Sequence, residues 1–225
     1  MRGDRPTVLS NLPPRARGFW LAAALAALLY GLSLGQAPYS GQPAAKAALG
    51  ALLFLAALQH PNARERAWLG AALAASVLGD VLLALSEWPP SFVAGLGAFL
   101  LAHLAYCALF APWRAAPRGL RAVALVALWL AAPALYAAFF PHLAALAAPV
   151  AVYIAVLVAM ASLALCARTP GPQVALGALV FVTSDALIGI DRFLGAFSGV
   201  DYFIWGFYAI AQLIIAFGVL RRKSN

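Results

Sequence analysis

The segment VALGALVFVTSDALIGI, Val174 to Ile190, contains a single ionisable residue, Asp185. A run of this length crosses the hydrocarbon core as a helix, which needs about 17 to 25 mostly apolar residues. The aspartate, beside Thr183 and Ser184, then lies where a charged side chain costs about 2.5 kcal/mol or more, and such a residue reads as functional by default. A second run, SVLGDVLLALSEW from Ser76 to Trp88, repeats the pattern with Asp80 after Gly79.

The rest of the chain is built the same way. Of its 225 residues, 65% are hydrophobic and 10% charged, against roughly 25% charged in a soluble domain. Charged and Pro-rich breaks divide it into about eight apolar segments: Phe19–Leu34, Ala44–Leu58, Ala67–Leu85, Phe92–Phe110, Leu120–Phe139, Ala144–Ala167, Val174–Ile190 and Tyr202–Leu220. Alternation of period 2 is absent, so backbone groups in lipid must be satisfied within helices rather than a barrel. The expected fold is all-α, a polytopic transmembrane bundle of about eight spans forming one integral membrane domain over residues 1–225. Short loops make sequence neighbours antiparallel.

The net charge of +8 is explained by where the charges fall. If the helices alternate, Arg2, Arg5, Arg15, Arg17, Arg64, Arg66, Arg114, Arg118, Arg121, Arg168, Arg221, Arg222 and Lys223 share one side, leaving Lys46 and Arg192 on the other. This positive-inside asymmetry places both termini, with basic tails at 1–17 and 221–225, in the cytoplasm. The basic residues meet anionic lipid, and no nucleic-acid partner is expected. The first hydrophobic segment follows a basic stretch like a signal peptide, but no clean small-residue cleavage site follows it, so it is read as a retained helix. Cys107 and Cys166 lie within spans and read as packing residues. No metal-ligand spacing is present and no cofactor is expected.

Asp80 and Asp185 stand 105 positions apart, and the same offset relates Glu87 to Arg192 and His103 to Tyr208. This points to two parallel four-helix halves, with chance spacing in an Ala/Leu-rich chain as the competing explanation. Each aspartate falls about 5 to 7 residues from the outer end of its span, roughly 8 to 10 Å at 1.5 Å per residue. Other polar groups share this level. His103 and Tyr106 lie three apart on the fourth span, and Tyr208 and Gln212 four apart on the eighth, with Trp205 beneath the same stripe. Tyr153 lies mid-span on the sixth, and Lys46 marks the outer start of the second. An outward-opening polar cavity accounts for the shared level.

Two carboxylates close together in an apolar setting tend to share one proton, which supplies an acid and a base at once. That suits a hydrolysis in which one group protonates the substrate and the other directs water. His103 is expected to be a polar partner. His60 and His142 read as solvated or interfacial loop residues, Glu87, Asp191 and Asp201 as solvated rim charges, and Trp88, Trp205 and Tyr202 as interfacial anchors or entrance residues.

The segments LGDVLLAL, FVAGLGAFLLAHLAY, ALGALVFVTSDALIGIDRF and FYAIAQLIIAFGV, in this order, resemble the successive signature segments of the lysoplasmalogenase (YhhN-type) family of small membrane proteins. Lys46 and the run PVAVYIAVLVAM also fit, so the resemblance extends from about Lys46 to the end. It implies hydrolysis of the vinyl ether of a lysoplasmalogen to a fatty aldehyde and glycerophosphoethanolamine or glycerophosphocholine. The expected partners are then a lysophospholipid substrate and membrane lipid. Asp80 and Asp185 would share the acid and base roles, His103, Tyr106, Tyr153, Tyr208 and Gln212 would orient substrate or water, and Lys46 would meet the lipid phosphate. The Ala-rich, Arg-over-Lys composition points to a bacterial inner membrane. Two other classes use paired membrane carboxylates. A proton-coupled transporter would distribute polar residues to both faces, and an intramembrane aspartyl protease would flank both aspartates with glycine, whereas Ser184 precedes Asp185.

Overall fold

The computed structural model describes residues 11–169, 171–195 and 197–222. They form eight α-helices: α1 (Pro14–Ser33), α2 (Gln42–Ala57), α3 (Ala63–Ala84), α4 (Ser91–Phe110), α5 (Leu120–Leu143), α6 (Ala147–Cys166), α7 (Pro172–Leu194) and α8 (Val200–Leu220). Arg2, Arg5 and Lys223 lie outside the described residues. Arg15 and Arg17 belong to α1 rather than to a tail, because the helix begins at Pro14.

Local sequence sets the boundaries. Proline occupies the first turn of α1, α2 and α7, where a missing N–H leaves nothing unsatisfied. Asn62 caps α3 by accepting the Glu65 amide at 3.1 Å, offsetting one of the orphan donors of the first turn. Gly171 and Gly195 bracket α7 at φ 130° and 77°, a region that side chains with a Cβ avoid. Large apolar side chains face outward, among them Leu25, Leu28 and Leu32 on α1 and Val126, Trp129 and Leu130 on α5. A surface of this kind belongs against hydrocarbon, and the chain is an integral membrane protein.

Six segments are long and apolar enough to cross a membrane: Pro14–Gln36, Ala63–Ala84, Ser91–Trp113, Leu120–Cys166, Pro172–Leu194 and Val200–Leu220. The number differs from the eight expected for two reasons. At 16 residues α2 is short, and α5 and α6 run together through the 3-10 turn Ala144–Leu146 as one apolar stretch of 47 residues. The fifth segment does not end near Phe139; α5 continues through Pro141 to Leu143. Likewise α7 extends to Leu194, so Asp185 stands nine residues before its helix end and Asp80 four before its own. The equal distances expected from the segment ends are not found.

The described arginines other than Arg192, which stacks on Phe92 at the start of α4, gather at one end of the bundle. Arg64 bonds the Ala108 carbonyl, Arg121 the Ala167 carbonyl, and Arg222 pairs with Glu65. His60 belongs to this cluster. It is buried, with Nε2 3.3 Å from Glu65 Oε2 and 3.2 Å from the Val219 carbonyl, so it is not the solvated loop residue expected from its neighbouring proline. His142, exposed in the last turn of α5, lies within a helix.

Helix starts repeat along the chain. α1 and α5 begin at residues 14 and 120, α2 and α6 at 42 and 147, α3 and α7 at 63 and 172, α4 and α8 at 91 and 200. Contacts repeat as well: α3 packs on α4 as α7 packs on α8, and α2 on α3 as α6 on α7. Close approach depends on small residues. A Cβ on Gly79 would stand 2.6 Å from the Phe99 ring, and one on Gly177 would stand 2.6 Å from Ile215, as expected where packing rather than hydrophobic exclusion joins helices in lipid.

Candidate active site

The close packing of α3 on α4 turns Asp80 inward, where it is 1% exposed. Its Oδ2 accepts the Tyr208 hydroxyl of α8 at 2.7 Å, and its Oδ1 is buried without a partner. Behind this bond, Gln212 donates to Ser76 Oγ at 3.0 Å and to the Tyr208 hydroxyl at 3.3 Å, while its Oε1 accepts the Tyr106 hydroxyl at 2.5 Å. Ser76 lies one turn before Asp80 on the same face of α3. The chain Tyr106–Gln212–Tyr208–Asp80 thus fixes the carboxylate from three helices.

Asp185 is held by a different pair. Its Oδ2 accepts the Tyr153 hydroxyl of α6 at 2.6 Å and lies 3.0 Å from His103 Nε2 of α4. His103 Nε2 is also 3.1 Å from the Tyr153 hydroxyl, and its Nδ1 is buried without a partner. Nε2 is therefore the ring nitrogen that meets the carboxyl group. The 105-residue offset reappears here as a crossed pair of bonds: Tyr208 reaches Asp80, and His103, its counterpart, reaches Asp185. No hydrogen bond joins the two carboxylates among the described residues, so each is fixed by its own donors.

Two cavities meet at Asp185. One, of about 240 Å³, is polar and is lined by Lys46, Asp80, Asp185, Asp201, Tyr30 and Tyr208, among others. The other, of about 510 Å³, is walled by apolar side chains of α4, α5, α6 and α7, with Tyr153 and Asp185 as its polar members. Leu83, Phe99, Asp185 and Ile188 line both. Volumes of this size are those of small-molecule sites, and here the polar and apolar parts are separated by one wall that carries a carboxylate.

Five of the eight residues singled out in the sequence reach a cavity: Lys46, Asp80, Tyr153, Asp185 and Tyr208. His103, Tyr106 and Gln212 line neither. They are fully buried between helices, with His103 against Asp185 and Gln212 bonded to Tyr106 and Tyr208. Trp205 is no interfacial anchor; it is buried in the polar cavity wall and donates to the Ala27 carbonyl at 2.9 Å. Asp201, expected as a solvated rim charge, is exposed and also lines the polar cavity. The pair Gln42 and Tyr30, bonded at 3.2 Å, was missed, since only the packing of α1 on α2 reveals it. Among the described residues no group of three or more His, Cys, Asp or Glu is arranged to hold a metal.

Residues 41–219 match the YhhN family. The chain is 42% identical over 239 residues to a Mycobacterium bovis protein named lysoplasmalogenase, covering 96% of this chain and 92% of that one. A Mycobacterium tuberculosis protein of the same name gives the same figures. Human lysoplasmalogenase TMEM86B is 34% identical over 166 residues, covering 73% of this chain and 68% of its own. No solved structure matches the chain.

Proposed function

The chain belongs to the YhhN family, and from that premise we propose that it is a membrane enzyme that hydrolyses the vinyl ether of lysoplasmalogens, releasing a fatty aldehyde and a glycerophospho-head group such as glycerophosphoethanolamine or glycerophosphocholine. The observation that carries this reading is the position of Asp185 in the wall common to an apolar and a polar cavity. A lysoplasmalogen has a single hydrocarbon chain joined to a polar head, and its vinyl ether marks the junction. With the chain in the larger cavity and the head in the smaller, that bond lies against Asp185. Lys46 and Asp201 in the polar cavity complement the phosphate and the ammonium of a zwitterionic head.

Position supports a division of the two carboxyl roles. The β-carbon of the vinyl ether lies on the chain side, so Asp185, which lines the chain cavity, is the acid that protonates it. The positive charge then spreads over the α-carbon and the ether oxygen. Asp80, which lines only the polar cavity and carries the unpartnered Oδ1, takes a proton from the water that adds to the α-carbon. The hemiacetal collapses as a proton passes to the departing glycerol oxygen, giving one aldehyde and one alcohol for each water consumed. His103 and Tyr153 hold Asp185 in place, and Tyr208, backed by Gln212 and Tyr106, holds Asp80.

In this account all eight helices cross the membrane as one domain, in two parallel halves. The basic end faces the cytoplasm of a bacterial inner membrane, and the polar cavity opens on the other side. Product analysis tests the reaction. A lysoplasmalogen labelled in both chain and head should yield labelled aldehyde and labelled glycerophospho-head in equal amounts; release of a phosphorylated base or of free fatty acid would overturn it.

A further inference from the structure

The repeat in helix packing breaks around α5, which packs on α7 where α1 forms no such contact with α3 among the described residues. α1 packs along α8, and the equivalent contact in the other half would join α5 to α4, yet α5 packs on α6 and α7 and forms no such interface with α4 among the described residues. Two indoles fasten the α1–α8 contact: Trp20 Nε1 donates to the Leu213 carbonyl at 3.0 Å, and Trp205 Nε1 donates to the Ala27 carbonyl at 2.9 Å. At the 105-residue offset, Trp20 corresponds to Leu125 and Trp205 to Leu100. Leucine has no donor, so both bolts are missing where α5 would meet α4. The apolar cavity of about 510 Å³ lies between these helices, lined by Phe92, Leu96 and Phe99 on α4 and by seven residues of α5 from Leu128 to Phe139.

The wall on this side is thin and open. Ala131, Ala134 and Ala138 line the cavity and are themselves exposed, so cavity and hydrocarbon meet there across alanine methyl groups. Pro133 sits in the same stretch; it removes one helix hydrogen bond and makes α5 easier to bend at that point. The lined part of α5 spans about 16 Å at 1.5 Å per residue, running from the level of Phe139 down to Leu128.

We propose that the α4–α5 seam is the lateral portal through which the substrate's hydrocarbon chain passes from the bilayer into the apolar cavity, α5 serving as the movable wall. The inference rests on the lysoplasmalogen-hydrolase reading. A lysolipid already dissolved in the membrane then reaches Asp185 without its chain crossing water, the head moving along the rim into the polar cavity. The α1–α8 side, fastened by both indoles, stays shut.

Closing the seam tests this. Leu100→Cys and Ala132→Cys, the counterparts of Trp205 and Ala27, are combined with Cys107→Ala and Cys166→Ala and bridged with a cleavable bifunctional thiol reagent in lipid nanodiscs. Relative to protein carrying the same reagent on Ala132→Cys alone, which occupies the cavity without joining α5 to α4, bridged protein should lose at least tenfold in turnover of a long-chain lysoplasmalogen, lose less with a short-chain water-soluble analogue, and recover on cleavage of the bridge. Equal turnover of the long-chain substrate before and after bridging would overturn the portal, as would failure of reagents of any length to bridge the pair. Failure of the unbridged protein to hydrolyse either substrate would instead count against the hydrolase reading.

Discussion

Asp80 and Asp185 differ in what their oxygens meet. Asp80 has one donor and a bare buried oxygen, and Asp185 has the Tyr153 hydroxyl and the His103 ring converging on one oxygen. The proposed roles predict different failures. In deuterium oxide, Asp80→Asn should still protonate the β-carbon but slow water addition, so the cation reverts and recovered substrate carries vinyl deuterium by mass spectrometry. Asp185→Asn should give neither aldehyde nor exchange. The reverse pattern would exchange the assignments. Both aspartates were legible in the sequence because their cost in a membrane marks them out. Their partners were legible only as a set. Which tyrosine meets which aspartate depends on helix rotation, and the crossed pairing of Tyr208 with Asp80 and His103 with Asp185 required the structure. Glu65 carried a readable signal, an Asn62-x-x-Glu65 start to α3, but its burial against Arg222 depends on where α8 ends.

At the level of helices, the site depends on how closely α3 and α4 approach. Gly79 precedes Asp80, and a methyl group there would press on the Phe99 ring, which lines both cavities. Gly79→Ala is expected to cost about 1–3 kcal/mol through overpacking and to shift Phe99 into the boundary between the cavities. The measurable result is a lowered Tm in detergent together with a raised KM for long-chain substrate. Unchanged Tm and KM would mean that the packing is looser than described. Most helices were legible from apolar runs and their breaks. A misjudged boundary lies where a physical signal was ambiguous, as at Pro141, which α5 passes through to end at Leu143. At α2, 16 residues leave the crossing undecided by length.

Across the whole molecule, α3 and α7 bring one aspartate each to a common polar cavity, and α5, which packs on α6 and α7 and not along α4, leaves room for the apolar one. The composition identified a membrane bundle, and the 105-residue spacing pointed to a repeat with chance as the competing explanation, but a cavity left where α5 stands off from α4 leaves no mark on hydropathy. The proposed reaction requires both carboxyls to act in cleaving a vinyl ether. The most direct measurement is aldehyde release from a defined lysoplasmalogen by purified parent protein, Asp80→Asn and Asp185→Asn, each shown to be monodisperse. The account predicts aldehyde from the parent and a loss of at least about 100-fold in each variant, the scale of a missing acid or base. Full turnover by either folded variant, or none by the folded parent, would contradict it.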